Sequence, residues 1–169
     1  NVVAMNQKDR TTVMEKARKK ARENAQPTKI DPRTRVIAIG SGKGGVGKST
    51  LSTNIALGLS KKGFQTGLLD ADIWGFSIPR LLGISGRIEA NEEKLMIPYL
   101  YDDLKVISTG LITSDEDTAL MWRGLMLSKA LEQFLTNVEW GNLDYLIIDL
   151  PPGTGDIQMA LSRLLPQAE

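Results

Sequence analysis

A glycine-rich stretch, GSGKGGVGKST from Gly40 to Thr50, most constrains what this chain can fold into. It stands between an apolar run of strand type, RVIAI, and a segment with a helical apolar period at residues 48–61. Glycines let successive backbone N–H groups turn inward, and the helix that follows adds a partial positive charge at its start. The pattern therefore predicts a strand–loop–helix unit that binds an anionic group.

The residues from Gly42 to Ser49 match the phosphate-binding pattern G-x-x-x-x-G-K-[ST] in full. In such a loop Lys48 reaches the β- and γ-phosphates of a nucleoside triphosphate, and the Ser49 hydroxyl ligates Mg²⁺. Thr50 is expected to contact the α-phosphate. The predicted nucleotide-binding residues of the loop are Gly42, Lys43, Gly44, Gly45, Val46, Gly47, Lys48, Ser49 and Thr50.

Strands and helices alternate from Arg35 onward. The buried-strand patterns are RVIAIGS, QTGLLDAD at 65–72 and DYLIIDL at 144–150, and LMIPYLY with LKVISTG predicts two strands joined by a turn. The first two strands are far enough apart for a helical crossover, so they should run parallel. We predict an α/β fold with a mostly parallel, doubly wound sheet.

Helices are predicted at residues 48–61, over a short segment SIPRLLG, at 119–138 and at 156–165. The first of them should pack through Leu51, Ile55, Ala56 and Leu59. The third should pack through Leu127, Ala130, Leu131, Phe134 and Leu135.

Carboxylates stand at the ends of two predicted strands. Asp149 follows the apolar run YLII, at the carboxyl end of a strand, where open α/β sheets place ligands. We predict that Asp149 is the second protein group at the Mg²⁺ site, beside Ser49. Asp70 and Asp72 alternate along LLDAD and should share one face near the γ-phosphate, one capping the following turn and the other, Asp72, orienting the attacking water.

The chain divides into two parts of different charge. Residues 8–35 carry ten Lys/Arg against four Asp/Glu, whereas residues 36–169 carry eleven against sixteen. We expect residues 1–34 to be the tail of a preceding small domain plus a basic linker helix. A basic patch for nucleic acid or anionic lipid is the alternative for this segment, although no aromatic residue is interleaved for base stacking. Residues 35–169 read as the N-terminal part of a nucleotide-hydrolysing domain whose sheet is incomplete at the C-terminus.

Cysteine and histidine are both absent. The 169 residues of this sequence therefore cannot supply a disulfide, a thiolate nucleophile, a zinc site or cysteine ligands for an iron–sulfur cluster. Oxygen ligands remain, and they suit Mg²⁺. Because the sequence has neither an apolar run of membrane-spanning length nor a signal-peptide pattern, we expect a cytoplasmic protein.

The stretch GKGGVGKST resembles the deviant Walker A motif of the ParA, MinD and nitrogenase-iron-protein group of P-loop ATPases. The resemblance implies a nucleotide-sandwich homodimer in which Lys43 reaches the phosphates bound by the partner subunit, while Lys48 serves its own site. Lys43 would then be catalytic in trans, together with Asp72 in its own subunit. The alternative is that Lys43 folds back onto its own loop.

Within that group, residues 68–83, 121–124 and 144–161 resemble the Mrp-type iron–sulfur cluster carrier ATPases. The resemblance implies that Asp72 is the hydrolysis-linked carboxylate and Asp149 the Walker B residue. It places Gly153 and Asp156 in a second switch, where the Gly153 N–H can bind the γ-phosphate. It also implies that Met121-Trp122-Arg123-Gly124 lies near the subunit interface, with ordinary helix-start packing as the alternative.

The function implied by this resemblance is an ATP-binding and ATP-hydrolysing iron–sulfur cluster carrier. Its cofactors would be ATP and Mg²⁺, and a cluster would be held only through cysteines outside this sequence. Its partners would be a second copy of itself, the iron–sulfur assembly machinery and recipient apo-proteins, with neither nucleic acid nor membrane expected. The competing interpretation is a ParA- or MinD-like positioning ATPase that switches its association with DNA or a membrane.

Overall fold

The computed structural model describes residues 28–73, 75–112, 127–153 and 155–169, except for the side chains of Gly155 and Asp156. The predicted linker helix before residue 28 lies outside the described residues. So does the stretch 121–124, for which the resemblance implied a place near a subunit interface and helix-start packing was the alternative.

A five-stranded sheet forms the centre of the described part of the chain. Its strands are β1 (Arg35–Ile39), β2 (Thr66–Asp70), β3 (Tyr99–Tyr101), β4 (Leu104–Ser108) and β5 (Tyr145–Asp149). The strand order is β1-β5-β2-β4-β3, and every neighbouring pair is parallel except β3 with β4. The predicted mostly parallel sheet is therefore confirmed, as is the strand–turn–strand at β3 and β4. Strands β1 and β2 run parallel as predicted, but β5 lies between them.

Helices cover both faces of this sheet, as a doubly wound fold requires. They are α1 (Lys48–Lys61), α2 (Ile78–Leu82), α3 (Thr109–Ile112), α4 (Leu127–Thr136) and α5 (Gly155–Leu164). Side chains alternate along the strands, so that Leu68 and Ile147 join the core beneath α1 and α2. Their neighbours Leu69 and Ile148 join the larger core, which includes residues of α4 and α5.

The predicted packing face is confirmed for α4 and partly wrong for α1. In α4, Ala130, Leu131, Phe134 and Leu135 are buried. In α1, Leu51 is 54% exposed, and the buried residues are Lys48, Ser52, Thr53, Ala56 and Ser60. Helix α1 begins at the glycine-rich loop and lies over the carboxyl end of β5, where a buried carboxylate needs donors rather than apolar cover. Ser52 is therefore buried against Asp149, while the neighbouring Leu51 is exposed.

The residues before β1 pack against the same domain. Ile30 is buried in the larger core, and the Thr34 hydroxyl donates to the carbonyl of Leu143 at 2.8 Å. At the other end, Glu169 exchanges two backbone hydrogen bonds of 2.9 Å with Val36 and Ala38 on the outer edge of β1. Among the helices of the described residues, none combines the length and apolar character that crossing a bilayer would require.

Candidate nucleotide-binding site

A cavity of about 420 Å³ opens where the glycine-rich loop faces the loop that follows β2. One wall is the phosphate loop and the start of α1, and the other is the segment between β2 and α2. The lining residues are Ser41, Lys43, Gly44, Gly45, Gly47, Lys48, Ser49, Thr50, Asp72, Gly75, Ser77, Arg80, Leu81 and Pro152. Most of the predicted loop residues and Asp72 are therefore brought together around one space.

The phosphate loop reaches α1 through a left-handed residue. Gly47 has φ 88° and immediately precedes Lys48, the first residue of the helix. A Cβ at Gly47 would meet no atom within 4 Å, so the glycine is required by backbone conformation rather than by space. The Ser41 hydroxyl donates to the carbonyl of Lys43 at 2.8 Å and braces the first half of the loop. Val46, at the tip of the loop, is 62% exposed.

Lys48 lies beneath the loop in a buried ion pair. Its Nζ is 3.0 Å from Oδ1 of Asp149, and the two side chains are 8% and 0% exposed. The same Nζ is 3.4 Å from Oγ of Ser49. The Ser52 hydroxyl lies 2.9 Å from Oδ1 of Asp149 and 3.0 Å from the carbonyl of Lys48, both of them acceptors. The predicted phosphate-binding lysine, the predicted metal ligands and one further hydroxyl thus form a single contact network.

Asp149 fits the magnesium role that the sequence assigned to it. Its Oδ2 is buried and has no hydrogen-bond partner among the residues that the structure describes. Such an atom normally has a partner, and a hard cation with oxygen ligands is one that would satisfy it. The described residues contain no group of three or more Asp, Glu, His or Cys side chains that could hold a metal. Mg²⁺ commonly binds through one or two protein oxygens together with phosphate and water.

Asp70 does not face the cavity, contrary to the expectation that it shares a face with Asp72. Strand β2 ends at Asp70, so the period-two alternation stops there, and the side chain is fully buried. Its Oδ1 accepts the N–H of Asp72 at 3.3 Å, and its Oδ2 accepts the N–H of Ile78 at 3.3 Å and the Ser108 hydroxyl at 3.0 Å. Burial, reinforced by the charge of Asp149, raises the pKa of Asp70 to about 7. Asp70 therefore binds backbone N–H groups near both ends of the loop 71–77, as the predicted turn-capping role requires.

Asp72 stands in that loop and lines the cavity. Its Oδ1 accepts the N–H of Gly75 at 3.0 Å, which closes a tight turn. This bond occupies one oxygen of the carboxylate. Orientation of the attacking water by Asp72 remains a prediction. The side chain of Asp72 does face the predicted phosphate site.

Gly153 links the second switch to the phosphate loop. With φ 76°, it donates its N–H to the carbonyl of Ser41 at 2.9 Å. For Gly153 to donate this N–H to a γ-phosphate, as predicted, its hydrogen bond to Ser41 would have to break. Lys43 is exposed and lines the cavity, and its role in trans remains a prediction.

Three candidate functional residues were not predicted from the sequence. Ser52 contacts Asp149, Ser108 contacts Asp70, and Arg80 lines the cavity from α2. The signal for Ser52 was its position four residues after Lys48, on the same helix face. Ser108 follows an apolar strand as Asp70 and Asp149 do, but its contact depends on the pairing of β2 with β4.

A family model for "ParA: NUBPL iron-transfer P-loop NTPase" matches residues 33–169, most of the chain. The chain belongs to this family. Among its curated relatives, the "Iron-sulfur cluster carrier protein" of Aquifex aeolicus is 51% identical over 129 residues, covering 76% of this chain and 35% of the relative. The protein of the same name from Mycobacterium tuberculosis H37Rv is 45% identical over 166 residues, covering 98% and 43%. The "Iron-sulfur cluster transfer protein NUBPL" of Mus musculus is 45% identical over 133 residues, covering 78% and 41%.

Solved structures place this NUBPL/ParA chain in the same fold. A nucleotide-binding protein from Archaeoglobus fulgidus, in complex with ADP, is 36% identical with a TM-score of 0.64, over 88% of this chain and 55% of that one. The septum site-determining protein MinD of Pyrococcus horikoshii, complexed with Mg-ADP, has a TM-score of 0.55 at 21% identity, over 79% and 54%, and shows the fold alone. The chain spans less than half the length of the curated relatives described above.

Proposed function

We propose that this chain is the nucleotide-binding part of an ATP-hydrolysing iron–sulfur cluster carrier that acts as a homodimer. The observation that carries the proposal is the buried network of Lys48, Asp149 and Ser52 beneath a glycine-rich loop that lines a cavity. Phosphate-loop hydrolases require this combination of backbone amides, a cation and a carboxylate at a strand end. The names of the curated relatives support the carrier function.

The geometry suggests how the residues divide the work of hydrolysis. Backbone N–H groups of the loop bind the phosphate oxygens, and Lys48 exchanges part of its contact with Asp149 for the β- and γ-phosphates. Asp149 and Ser49 would hold Mg²⁺, which neutralises charge on the phosphates when bound. Asp72 orients a water molecule whose oxygen forms a bond to the γ-phosphorus while the bond to the ADP oxygen breaks, and the water's protons pass to phosphate and solvent.

Lys43 supports the homodimer part of the proposal. Its side chain is exposed, lines the cavity and forms no ion pair with any described residue. A cation so placed can reach a second subunit's phosphates and stabilise charge that develops during transfer, as an arginine finger does.

The iron–sulfur cluster is cargo in this proposal. The chain has no cysteine, so a cluster would need ligands outside these 169 residues. The partners are then the proteins that assemble clusters and the apo-proteins that receive them. Positioning on DNA or a membrane is not favoured, because the curated relatives described above are named for iron–sulfur carriage or transfer.

The test uses the full-length protein. Calorimetry with Mg-ATP should show saturable binding, and phosphate release should follow with ATP in excess. Asp72→Asn should bind Mg-ATP with parental affinity while its single-turnover hydrolysis falls by at least about a hundredfold, since it loses the group that orients water. After anaerobic reconstitution with iron and sulfide, the parent should transfer a cluster to an apo-acceptor. Absence of ATP binding would overturn the enzymatic part, and hydrolysis without any cluster uptake would overturn the carrier part.

A further inference from the structure

The wall of the cavity that faces the phosphate loop carries a cation of its own. Arg80 lies on α2, is exposed, and lines the cavity together with Ser77 and Leu81. Its guanidinium forms no hydrogen bond or ion pair with any residue in the described parts of the chain. Arginine has five N–H donors in a planar fork, and such a group normally finds acceptors where an anion binds.

The charges around the cavity are unequal. Its lining contains three cations, Lys43, Lys48 and Arg80, and a single carboxylate, that of Asp72. Lys48 is already paired with Asp149 at 3.0 Å. Two cations therefore remain that have no acidic partner among the described residues, Lys43 on the loop and Arg80 on the opposite wall. A polyphosphate chain lying between the walls would supply acceptors to both.

The backbone that carries Arg80 is anchored. Ile78 and Leu82 on either side are buried in the core beneath α1, and the N–H of Ile78 donates to the buried carboxylate of Asp70. The ring of Phe76 occupies the space that a side chain at Gly110 would need. The exposed arginine therefore projects from a wall that is packed against the sheet.

We propose that Arg80 contacts the polyphosphate of the nucleotide bound in this cavity and so acts as a third phosphate-binding cation, supplied by α2. The inference rests on the proposed nucleotide-binding function and adds a binding residue to it. Guanidinium binds phosphate oxygens in a bidentate manner, which an ammonium group at the same place cannot reproduce.

The experiment compares Arg80→Ala, Arg80→Lys and the matched control Arg87→Ala in the full-length protein. Arg87 is an exposed arginine in the loop after α2 and is not among the residues that line this cavity. Calorimetric affinity for Mg-ATP is measured at low and high salt. Arg80→Ala should weaken binding about tenfold and reduce its salt dependence, because an exposed charge-assisted contact is lost. Arg80→Lys should recover part of the loss, and Arg87→Ala should match the parent.

Affinity of Arg80→Ala within about twofold of the parent at both salt concentrations would overturn the inference. Equal losses in Arg80→Ala and Arg87→Ala would also overturn it, because they would indicate a general effect of net charge. Failure of the parent itself to bind Mg-ATP would be a different result, since it would remove the proposed function. Thermal unfolding of each variant verifies that the exposed substitutions leave the fold intact.

Discussion

Asp70 and Asp149 are partners in the register of two adjacent parallel strands, and both are fully buried at the carboxyl end of the sheet. The structure stabilises them differently. Asp149 has the ammonium of Lys48 and the hydroxyl of Ser52, whereas Asp70 has two backbone N–H groups and the hydroxyl of Ser108. Lys48, the buried cation of the described residues, contacts Asp149 and not Asp70, and burial together with the charge of Asp149 raises the pKa of Asp70 to about 7.

The raised pKa of Asp70 predicts a pH dependence of stability. The group titrates at an ordinary value of 3.8 when unfolded and at about 7 when folded, so the folded state binds more protons between these values. Its contribution to the free energy of unfolding is fully present below pH 3.8 and is lost as the pH rises through about 7. In Asp70→Asn, the free energy of unfolding should therefore fall less steeply as the pH rises. Urea unfolding from pH 4 to 8, without Mg²⁺ or nucleotide, would measure this. Because asparagine supplies one acceptor fewer, the variant will also differ in absolute stability, so the test is the slope of the free energy of unfolding against pH. A slope equal to that of the parent would contradict the prediction.

The buried pair of Lys48 and Asp149 predicts strong energetic coupling. Lys48→Met leaves the carboxylate of Asp149 buried with the hydroxyl of Ser52, which should lower the free energy of unfolding by about 3 kcal/mol. Lys48→Met/Asp149→Asn should be less destabilised than the sum of the single variants, by more than about 1 kcal/mol. Lys43→Met, on the exposed part of the loop, is the matched control and should change stability by less than about 0.5 kcal/mol. Additive losses would show that the pair is not coupled.

Lys43 and Lys48 should differ in function as well as in burial. Lys48→Met should lose Mg-ATP binding, because the phosphates lose the cation beneath the loop. Lys43→Ala should keep affinity within a few-fold of the parent but lose turnover, since its proposed contact forms only in the dimer. Mixing Lys43→Ala with Asp72→Asn should restore some hydrolysis in heterodimers that combine one intact Lys43 with one intact Asp72. If Lys43→Ala hydrolyses ATP at the parental rate, the role in trans is wrong.

Ser52 is predicted to orient the carboxylate of Asp149, the proposed Mg²⁺ ligand. Ser52→Ala removes the hydroxyl 2.9 Å from Oδ1 of Asp149 without adding bulk. We expect a loss of about 1 kcal/mol in stability and a Mg-ATP affinity several-fold lower, measured by titrating Mg²⁺ at fixed ATP. Ser60→Ala is the control, because Ser60 is buried on the same helix further from the site. Equal effects of the two substitutions would indicate helix packing alone.

The sequence predicted the strands and the loop well because both depend on local pattern. The apolar runs before Gly40 and Asp149 formed β1 and β5, and the motif from Gly42 to Ser49 predicted the unit that now lines the cavity. The exposed Leu51 was not predicted, because the apolar period carries no information about which face of α1 must meet a buried carboxylate. The burial of Asp70 depends on where β2 ends, and the place of Arg80 depends on how α2 packs. Both are settled by contacts between distant residues, to which pattern reasoning has no access.

The insertion of β5 between β1 and β2 has a consequence for synthesis on the ribosome. A nascent chain that has emerged only as far as β4 contains the complete glycine-rich loop, yet β1 and β2, the two neighbours of β5, have no strand between them. Lys48 then has no Asp149 to hold it, because that residue lies 101 positions later in the chain. Long-range pairing of this kind forms late. The growing polypeptide should therefore form the Lys48–Asp149 pair beneath the loop only when β5 pairs with β1 and β2.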